Sequence, residues 1–571
     1  FLYFLQRKGW LKWKNYEQDR YYIKNLWVKY KEYVNKEPHK KDTFYSSWLS
    51  SLFFGAFNKK SHLIDKDLPE EIQESFRIMP FLNGGLFTKN ELDELFPFVP
   101  DSIFEWLFEP DITTSDKKKG FLEIFNFTID ESLPVDVEVA VDPEMLGKVY
   151  ESLIAEEERG GAGIFYTPRV EIDFMCRLSL VQYLHNEING SVGAIHELAL
   201  QNKLPIIDFV FNPQESVEKL SVDEAKAIKQ ALDKVKIVDP AVGSASFLVG
   251  MMNILVELHR ELTRKIEGRE ENLFALKQKI ILENLYGVDV KDWAVMVGEL
   301  RLWLSLIIET DEKYMDIYTK PLLPNLSFKI HQGDSLVEEI GGIQISLRGD
   351  ATKYIPQTIK DKIKILIDKK NKFFSGMRSA DLKELEEIER FEQEIFSEIL
   401  QSKIRDIDKS INSLHNKIIQ IKGQKDIFGK ENEKSKKDIK ELEKNLKTLE
   451  KEKERYKQAL DNIKSKTKKD YFLWEVDFAE IFVEKGGFDI VIGNPPYVRQ
   501  ELIAPPLEDP KKYPEDEWKR LKDQYKEKLE SSVKNIWQDV RVDRRSDLYV
   551  YFYYHGLSLL KPGGVLCFIS S

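Results

Sequence analysis

Asn494, Pro495, Pro496 and Tyr497 close the apolar stretch GFDIVIGNPPYVRQ, Gly487 to Gln500. The run FDIVIG reads as a buried strand. The four residues after it put together a side-chain amide, two backbone-fixing rings and an aromatic face. Proline at a strand end needs no function, because it stops strand pairing. The same prolines can hold the Asn494 amide and the Pro495 carbonyl rigidly. Two converging acceptor oxygens are what an exocyclic amino group needs, since both its N–H bonds are then accepted and its lone pair is less committed to the ring. Tyr497 offers a face on which a flat ring can stack. The plainer alternative is a strand terminator with a core tyrosine.

Three acids occupy comparable places. In DPAVGSASFL an apolar strand ends at Asp239, and Pro240, Ala241, Gly243 and Ser244 turn into a helix near Ser246. Such a turn lets a ligand approach the backbone beside the positive end of a helix; it can equally be an ordinary strand-to-helix turn. It matches neither the dinucleotide fingerprint nor a Gly-Lys-Ser/Thr phosphate loop. Asp289, in YGVDV, ends a second strand, where an acid can accept from both ribose hydroxyls. Its separation from the glycine turn exceeds the usual spacing of about 20 residues, with helical sequence between. Asp289 is also suited to cap a helix starting near Trp293. Asp334, in GDSL, follows a third strand; it can accept from an adenine amino group or serve as a turn aspartate.

Positioning these groups requires alternating strands and helices, hence βαβ units and a parallel sheet. Residues 1–140 are aromatic-rich and helical in pattern, with FLYFLQRKGWL and FYSSWLSSLFFGAF as amphipathic helices and PFLNGGLF as a turn. Residues 141–336 hold the first part of the sheet. They include a capped helix start at Asp142 and Pro143 and a helix from about Arg169 to Leu184. Residues 337–470 interrupt it. There Ile404, Ile407, Ile411, Leu414, Ile418 and Ile421, then Ile439, Leu442, Leu446 and Leu449, fall on heptad spacing. Tyr456, Leu460 and Ile463 continue it, with Lys453 at one seam position. The pattern predicts an antiparallel coiled-coil hairpin with arms of roughly 40 Å, either a solvated arm or a contact for DNA or a partner. Residues 471–571 resume the sheet: FDIVIG, a charged loop from Val498 to about Ser546, a helix over DLYVYFYYHGLSLL ended by KPGG, and a last strand VLCFISS.

The bulk numbers exclude little. A chain of 571 residues, 42% hydrophobic and 32% charged, has ordinary globular composition. Its formal net charge of -11 argues against a protein that coats nucleic acid, though not against a local basic groove. Two cysteines, Cys176 and Cys567, make no disulfide framework. No apolar run reaches the roughly 18 residues of a membrane helix. Both ends read as cut, so a longer protein is expected.

In this order, DPAVGSASFL, GVDV, GDSL and FDIVIGNPPYVRQ resemble the S-adenosylmethionine-dependent DNA adenine-N6 methyltransferases. GIFYTPRVEIDFM, lying first, resembles that family's cofactor clamp and gives the gamma order of motifs. PFLNGGLF, DPEMLGKVYESL and WEVDFAEIF resemble linking segments of the large fused type IIG and IIL restriction–modification methylases and related phage-defence enzymes. The resemblance covers residues 80 to 571. It implies a doubly wound Rossmann-like methyltransferase sheet preceded by a helical domain, with the coiled coil as an insertion. It further implies S-adenosylmethionine as cofactor and double-stranded DNA as partner, with no metal and no membrane, in the cytoplasm. A recognition domain, and any nuclease, would lie outside this stretch.

The roles the resemblance implies fall residue by residue. Phe165, Tyr166, Thr167 and Pro168 would clamp the cofactor's methionine end. Asp239, Pro240, Ala241, Gly243 and Ser244 would hold its amino acid portion. Asp289 would take the ribose hydroxyls and Asp334 the cofactor's adenine, while Asn494 to Tyr497 would hold the target base. Ala245 stands where the family's turn has a second glycine, which predicts weaker or slightly displaced cofactor binding. Arg541, Arg544 and Arg545 could meet phosphates or be solvated surface. Cytosine-N4 methylation usually goes with serine at the position of Asn494. A protein-glutamine methyltransferase shares Asn-Pro-Pro-Tyr but is short and lacks the upstream clamp. An inactive DNA-binding scaffold need not bind the cofactor at all.

Overall fold

The computed structural model describes residues 2–13, 18–82, 87, 89, 93, 95, 98–109, 126–127, 140–141, 167–189, 198–309, 323–326, 328–345, 348, 356–375, 382–423, 433–465 and 471–570. The expected helix start at Asp142 and Pro143, most of PFLNGGLF, and Phe165 and Tyr166 lie outside the described residues.

Among the described residues up to Glu109 the amino-terminal part is helical, as its aromatic spacing predicts; further on, Asn126–Phe127 and Ala140–Val141 pair as two short strands, which the helical reading of 1–140 does not include. Helices Tyr22–Lys36, Glu70–Arg77 and Asp101–Phe108 surround Trp27, Phe44, Trp48 and Phe104, all of them buried. FYSSWLSSLFFGAF departs from the expected α-helix. It winds as two wide-turned segments, Phe44–Leu49 and Ser51–Ala56, with Phe57 N bonded to Leu52 O at 3.0 Å.

The centre is a five-stranded sheet, all parallel. Its strands are β1 (Ile237–Asp239), β2 (Leu285–Asp289), β3 (Ile330–Gln332), β4 (Phe488–Gly493) and β5 (Leu560–Phe568), in the order β3-β2-β1-β4-β5. All of β4 is buried, as expected of a strand covered on both faces. The chain moves outward from β1 through β2 to β3, then returns to place β4 on the other side of β1. The carboxyl ends of β1 and β4 therefore flank the switch point, where open α/β sheets bind ligands. α1 (Arg169–Asn189) follows Thr167 and Pro168, α2 (Ser246–Glu267) follows the turn after β1, and α3 (Asp292–Ile308) follows β2. A glycine lets α1 and α2 pack closely: a Cβ on Gly250 would stand 2.5 Å from Ile172.

The interruption of the sheet is more than an arm. α4 (Leu382–Gly423) and α5 (Glu433–Ser465) run against each other, with Lys422 paired to Glu443 at 3.2 Å and Lys453 to Asp408 at 2.5 Å. Near the sheet, Ile395, Phe396, Ile399, Leu400, Ala459 and Ile463 share one core with Leu473, Val476 and Ala479. Lys370, fully buried, pairs with Glu392 at 2.8 Å and donates to Asp477 O at 2.7 Å. A buried charge must be paired and hydrogen-bonded, so these contacts fix the base of the hairpin to the domain.

Two local readings are corrected after β4. The expected loop from Val498 to Ser546 contains a 22-residue helix, α6 (Glu515–Ile536). Glu515, Asp516 and Glu517 suit its positive end, and Tyr525, Leu529, Ser532, Val533 and Ile536 form its buried stripe. Charged neighbours hide that stripe in the sequence. The helix before the last strand, α7 (Leu548–Leu559), stops at Leu559; Lys-Pro-Gly-Gly opens β5, where the pairing shifts register against Phe488.

Candidate active site

The glycine turn is built by its neighbours. Asp239 ends β1, 1% exposed, and Ala241 N donates to its Oδ1 at 3.0 Å. Val242 N donates to Val288 O at 2.9 Å, and Gly243 N to Asp289 Oδ2 at 2.9 Å. A Cβ on Gly287 would stand 2.8 Å from Val242 Cγ2, so β2 needs glycine there for the turn to lie against it. Gly243 has φ +49° and nothing within 4 Å of where a Cβ would be. That side of the turn is open for a ligand to approach the backbone.

Asp289 does not cap the next helix. Its carboxylate takes Gly243 N on one oxygen and Lys291 N at 2.9 Å on the other, while α3 starts at Asp292. Asp334 Oδ1 accepts from Leu336 N at 2.9 Å and Val337 N at 3.0 Å, and Oδ2 from Tyr525 Oη at 2.7 Å. It is a turn aspartate, and α6 reaches it. Ser335 Oγ donates to Pro240 O at 2.6 Å, joining this third segment to the first.

Burial raises all three carboxyls above the usual range. Asp239 is pushed up to about 8, with nearby Asp289 adding to the effect and the Ala241 N–H opposing it. Asp289 and Asp334 are shifted in the same direction, against backbone hydrogen bonds to each. A buried acid of this kind favours a cationic partner, which restores its charged form.

The Asn-Pro-Pro-Tyr segment meets this turn directly. A Cβ on Gly493 would stand 2.6 Å from Asp239 Oδ1, so only glycine lets the end of β4 pass the carboxylate. Asn494 follows, and its Nδ2 donates to Thr167 Oγ1 at 3.0 Å. Thr167 is 7% exposed and, with Pro168, leads into α1. Tyr497 Oη donates to Ile569 O at 2.8 Å, and its ring lies 5.9 Å from that of Tyr549 on α7. The residues after it are anchored too: Leu548 N donates to Val498 O at 2.9 Å, and Gln500 N to Asp547 Oδ1 at 2.8 Å. Val498-Arg499-Gln500 thus joins the segment to the head of α7.

Among the predicted site residues, Thr167, Asp239, Gly243, Ser244, Asp289, Asp334 and Asn494 gather at the carboxyl ends of β1, β2, β3 and β4. Arg541, Arg544 and Arg545 are exposed on the segment that enters α7 at Asp547. Arg544 pairs with Glu530 at 2.6 Å. Sequence reasoning missed Arg301, which is 3% exposed and bonds the glycine turn through Ser244 O at 2.7 Å. A lone arginine in the apolar helix sequence WAVMVGELRLWLSLII was the available signal, since a buried guanidinium needs partners. It also missed Lys291, whose Nζ donates to Pro506 O at 2.6 Å and tethers the loop after Asn-Pro-Pro-Tyr.

Fold and site together define a doubly wound α/β protein whose acids and amide converge at the switch point. The model of the Eco57I restriction-modification methylase matches residues 283–571, and that of the MmeI DNA-methyltransferase domain matches residues 215–340. The chain belongs to the Eco57I restriction-modification methylase family. It is 27% identical over 561 residues to RM.MjaORFECS2P of Methanocaldococcus jannaschii, whose name gives a type II restriction enzyme and methyltransferase; the match covers 92% of this chain and 41% of that protein. It is 35% identical over 102 residues to the type II methyltransferase M.BstVI of Geobacillus stearothermophilus, covering 18% of this chain and 13% of that one. A solved structure of the type IIL restriction-modification enzyme MmeI in complex with DNA is similar over 59% of this chain and 36% of its own, at 16% identity and a TM-score of 0.34. The chain thus spans about two fifths of the length of its archaeal relative.

Proposed function

We propose that the chain carries the methyltransferase part of a restriction–modification or phage-defence protein and methylates N6 of an adenine in double-stranded DNA, with S-adenosylmethionine as cofactor. The observation that carries this reading is the contact between the two halves of the site: Gly493 against the Asp239 carboxylate, with Asn494 held next to it by Thr167. Residues 1–140 would form a connecting domain, 141–336 and 471–571 the methyltransferase domain, and 337–470 a coiled-coil insertion.

The residues fit the cofactor. The buried Asp239 carboxyl suits an ammonium group, Gly243 leaves room beside the backbone, and Asp289 stands at the strand end where ribose hydroxyls are bound in such sheets. When bound, the cofactor supplies an electrophilic methyl group. Thr167 and Pro168, with Phe165 and Tyr166 before them, would close over its methionine end, and Asp334 would face its adenine.

The target base must leave the duplex stack to reach such a site. Asn494 Oδ1 and the Pro495 carbonyl would each accept one N6 hydrogen, which frees the nitrogen lone pair for attack. With Nδ2 on Thr167 Oγ1, the oxygen end of the Asn494 amide would be the one that accepts from the base. Stacking on Tyr497 would offset part of the unstacking cost, about 1–3 kcal/mol per base. Orientation supplies much of the rate in such a site. Asparagine rather than serine at 494 favours adenine over cytosine.

Transfer of a tritiated methyl group from S-adenosylmethionine to unmethylated DNA tests the reading. The Asn494→Ala protein should lose roughly 10²–10³-fold in rate while still binding cofactor. A rate near that of the unaltered chain would remove Asn494 from the mechanism.

A further inference from the structure

Ala245 adopts a left-handed conformation, φ 61° and ψ 29°, at the head of α2. A Cβ disfavours this region, which glycine enters freely. Ala245 is fully buried, and α3 is shaped to receive it. A Cβ on Gly298 would stand 3.2 Å from the Ala245 methyl and 3.6 Å from Gly243 O. Three residues further along α3, Arg301 reaches across the turn. Its NH1 donates to Ser244 O at 2.7 Å and to Ser246 Oγ at 2.8 Å, with Ser244 Oγ at 3.3 Å. One guanidinium therefore grips the residue before Ala245 and the residue after it.

We infer that Arg301 is a positioning residue that straps Ala245 into its left-handed conformation and so sets the shape of the turn for cofactor binding. Where glycine would take up this shape unaided, alanine needs Gly298 to admit its methyl and Arg301 to hold its flanks. The same turn presents Gly243 N to Asp289 at 2.9 Å, so a relaxed Ala245 would loosen the link between the first two strand ends. The functional part of this inference rests on the turn being the cofactor cradle; the strap itself does not.

Two measurements on the 571-residue chain separate these. The first is amide hydrogen exchange across residues 241–249 without cofactor. Arg301→Lys keeps the charge but is one atom shorter than the arm whose terminal Nη1 makes these bonds, and should speed exchange there roughly tenfold. Adding Ala245→Gly should return it toward the unaltered rate, because glycine needs no strap. The second is calorimetric titration with S-adenosylhomocysteine. Arg301→Lys should weaken binding roughly tenfold, and the double variant should recover most of the affinity. Unchanged exchange in Arg301→Lys would overturn the strap, as would a double variant as loose as the single one. If Arg301→Lys does not fold, the double variant should; an unfolded double variant counts against the strap. Failure of the unaltered chain to bind S-adenosylhomocysteine would overturn the cofactor reading instead, with exchange still deciding the strap.

Discussion

Asn494 Nδ2 donates a 3.0 Å hydrogen bond to Thr167 Oγ1, joining residues 327 positions apart. One follows β4 and the other precedes α1, so the bond closes the site across more than half of the chain. With the nitrogen end on Thr167, the proposed role falls to the oxygen end.

Thr167→Val removes this acceptor at nearly constant volume. The amide then loses its fixed orientation, and the single-turnover rate should fall roughly tenfold. Melting temperature should change little, since one partly shielded side-chain bond is lost. A rate equal to that of the unaltered chain would mean the orientation of Asn494 is set elsewhere.

Asp239 predicts a pH dependence whose sign follows from burial. Its carboxyl is pushed up to about 8 in the fold, against about 3.9 in an unfolded chain. Between those values the folded state holds a proton that the unfolded state has lost. Stability from this group therefore falls as pH rises through that window. Asp239→Asn should flatten that slope in urea denaturation. A cationic ligand group beside Asp239 favours the ionised form, so S-adenosylmethionine binding should release protons below pH 8 and tighten toward pH 8. Titration in buffers of different ionisation enthalpy measures the release, and equal heats across buffers would contradict it.

The strands of the sheet were legible because each carries a local signal: an apolar run, then a small-residue or proline stop. Asp239, Asp289 and Asn494 could be placed from that alone. Arg301 could not, because its partners lie 55 to 57 residues away and periodicity says only that α3 is buried. α6 does not show in the sequence pattern because lysines and acids outnumber its apolar stripe. The role of Val498-Arg499-Gln500 depends on the main-chain groups of Val498 and Gln500, bonded to Leu548 N and the Asp547 carboxylate, so the side-chain types of these three residues do not reveal it. The heptads were visible, but not that Phe396 and Leu400 near their start belong to the core beneath.

That last difference makes the hairpin divisible. Removing residues 410–451 and joining α4 to α5 by a short turn deletes mostly solvated helix. The melting temperature should stay within a few degrees, since surface changes seldom exceed about 0.5 kcal/mol each. Removing 382–465 entirely takes Ile395, Phe396, Ile399 and Leu400 from the core, and should prevent folding. Equal stability of the two deletions would show that the base contributes nothing.

Arg541, Arg544 and Arg545 sit where the chain returns to Asp547, the acceptor of Gln500 N. If this edge meets DNA, replacing all three by alanine should lower the slope of log affinity against log salt by about 1 to 2 rather than by 3, since each phosphate contact is worth about 0.9 and Arg544 is engaged with Glu530. An unchanged slope would place them in solvent.

The central proposal is that Asp239 and Asn494 belong to one site, which methylates adenine at N6. Its most direct test is nucleoside analysis of unmethylated DNA after incubation with the chain and S-adenosylmethionine. N6-methyldeoxyadenosine should be formed by the unaltered chain and lost in both Asn494→Ala and Asp239→Ala. Methyl groups found on cytosine, or N6-methyldeoxyadenosine formed undiminished by either variant, would contradict it.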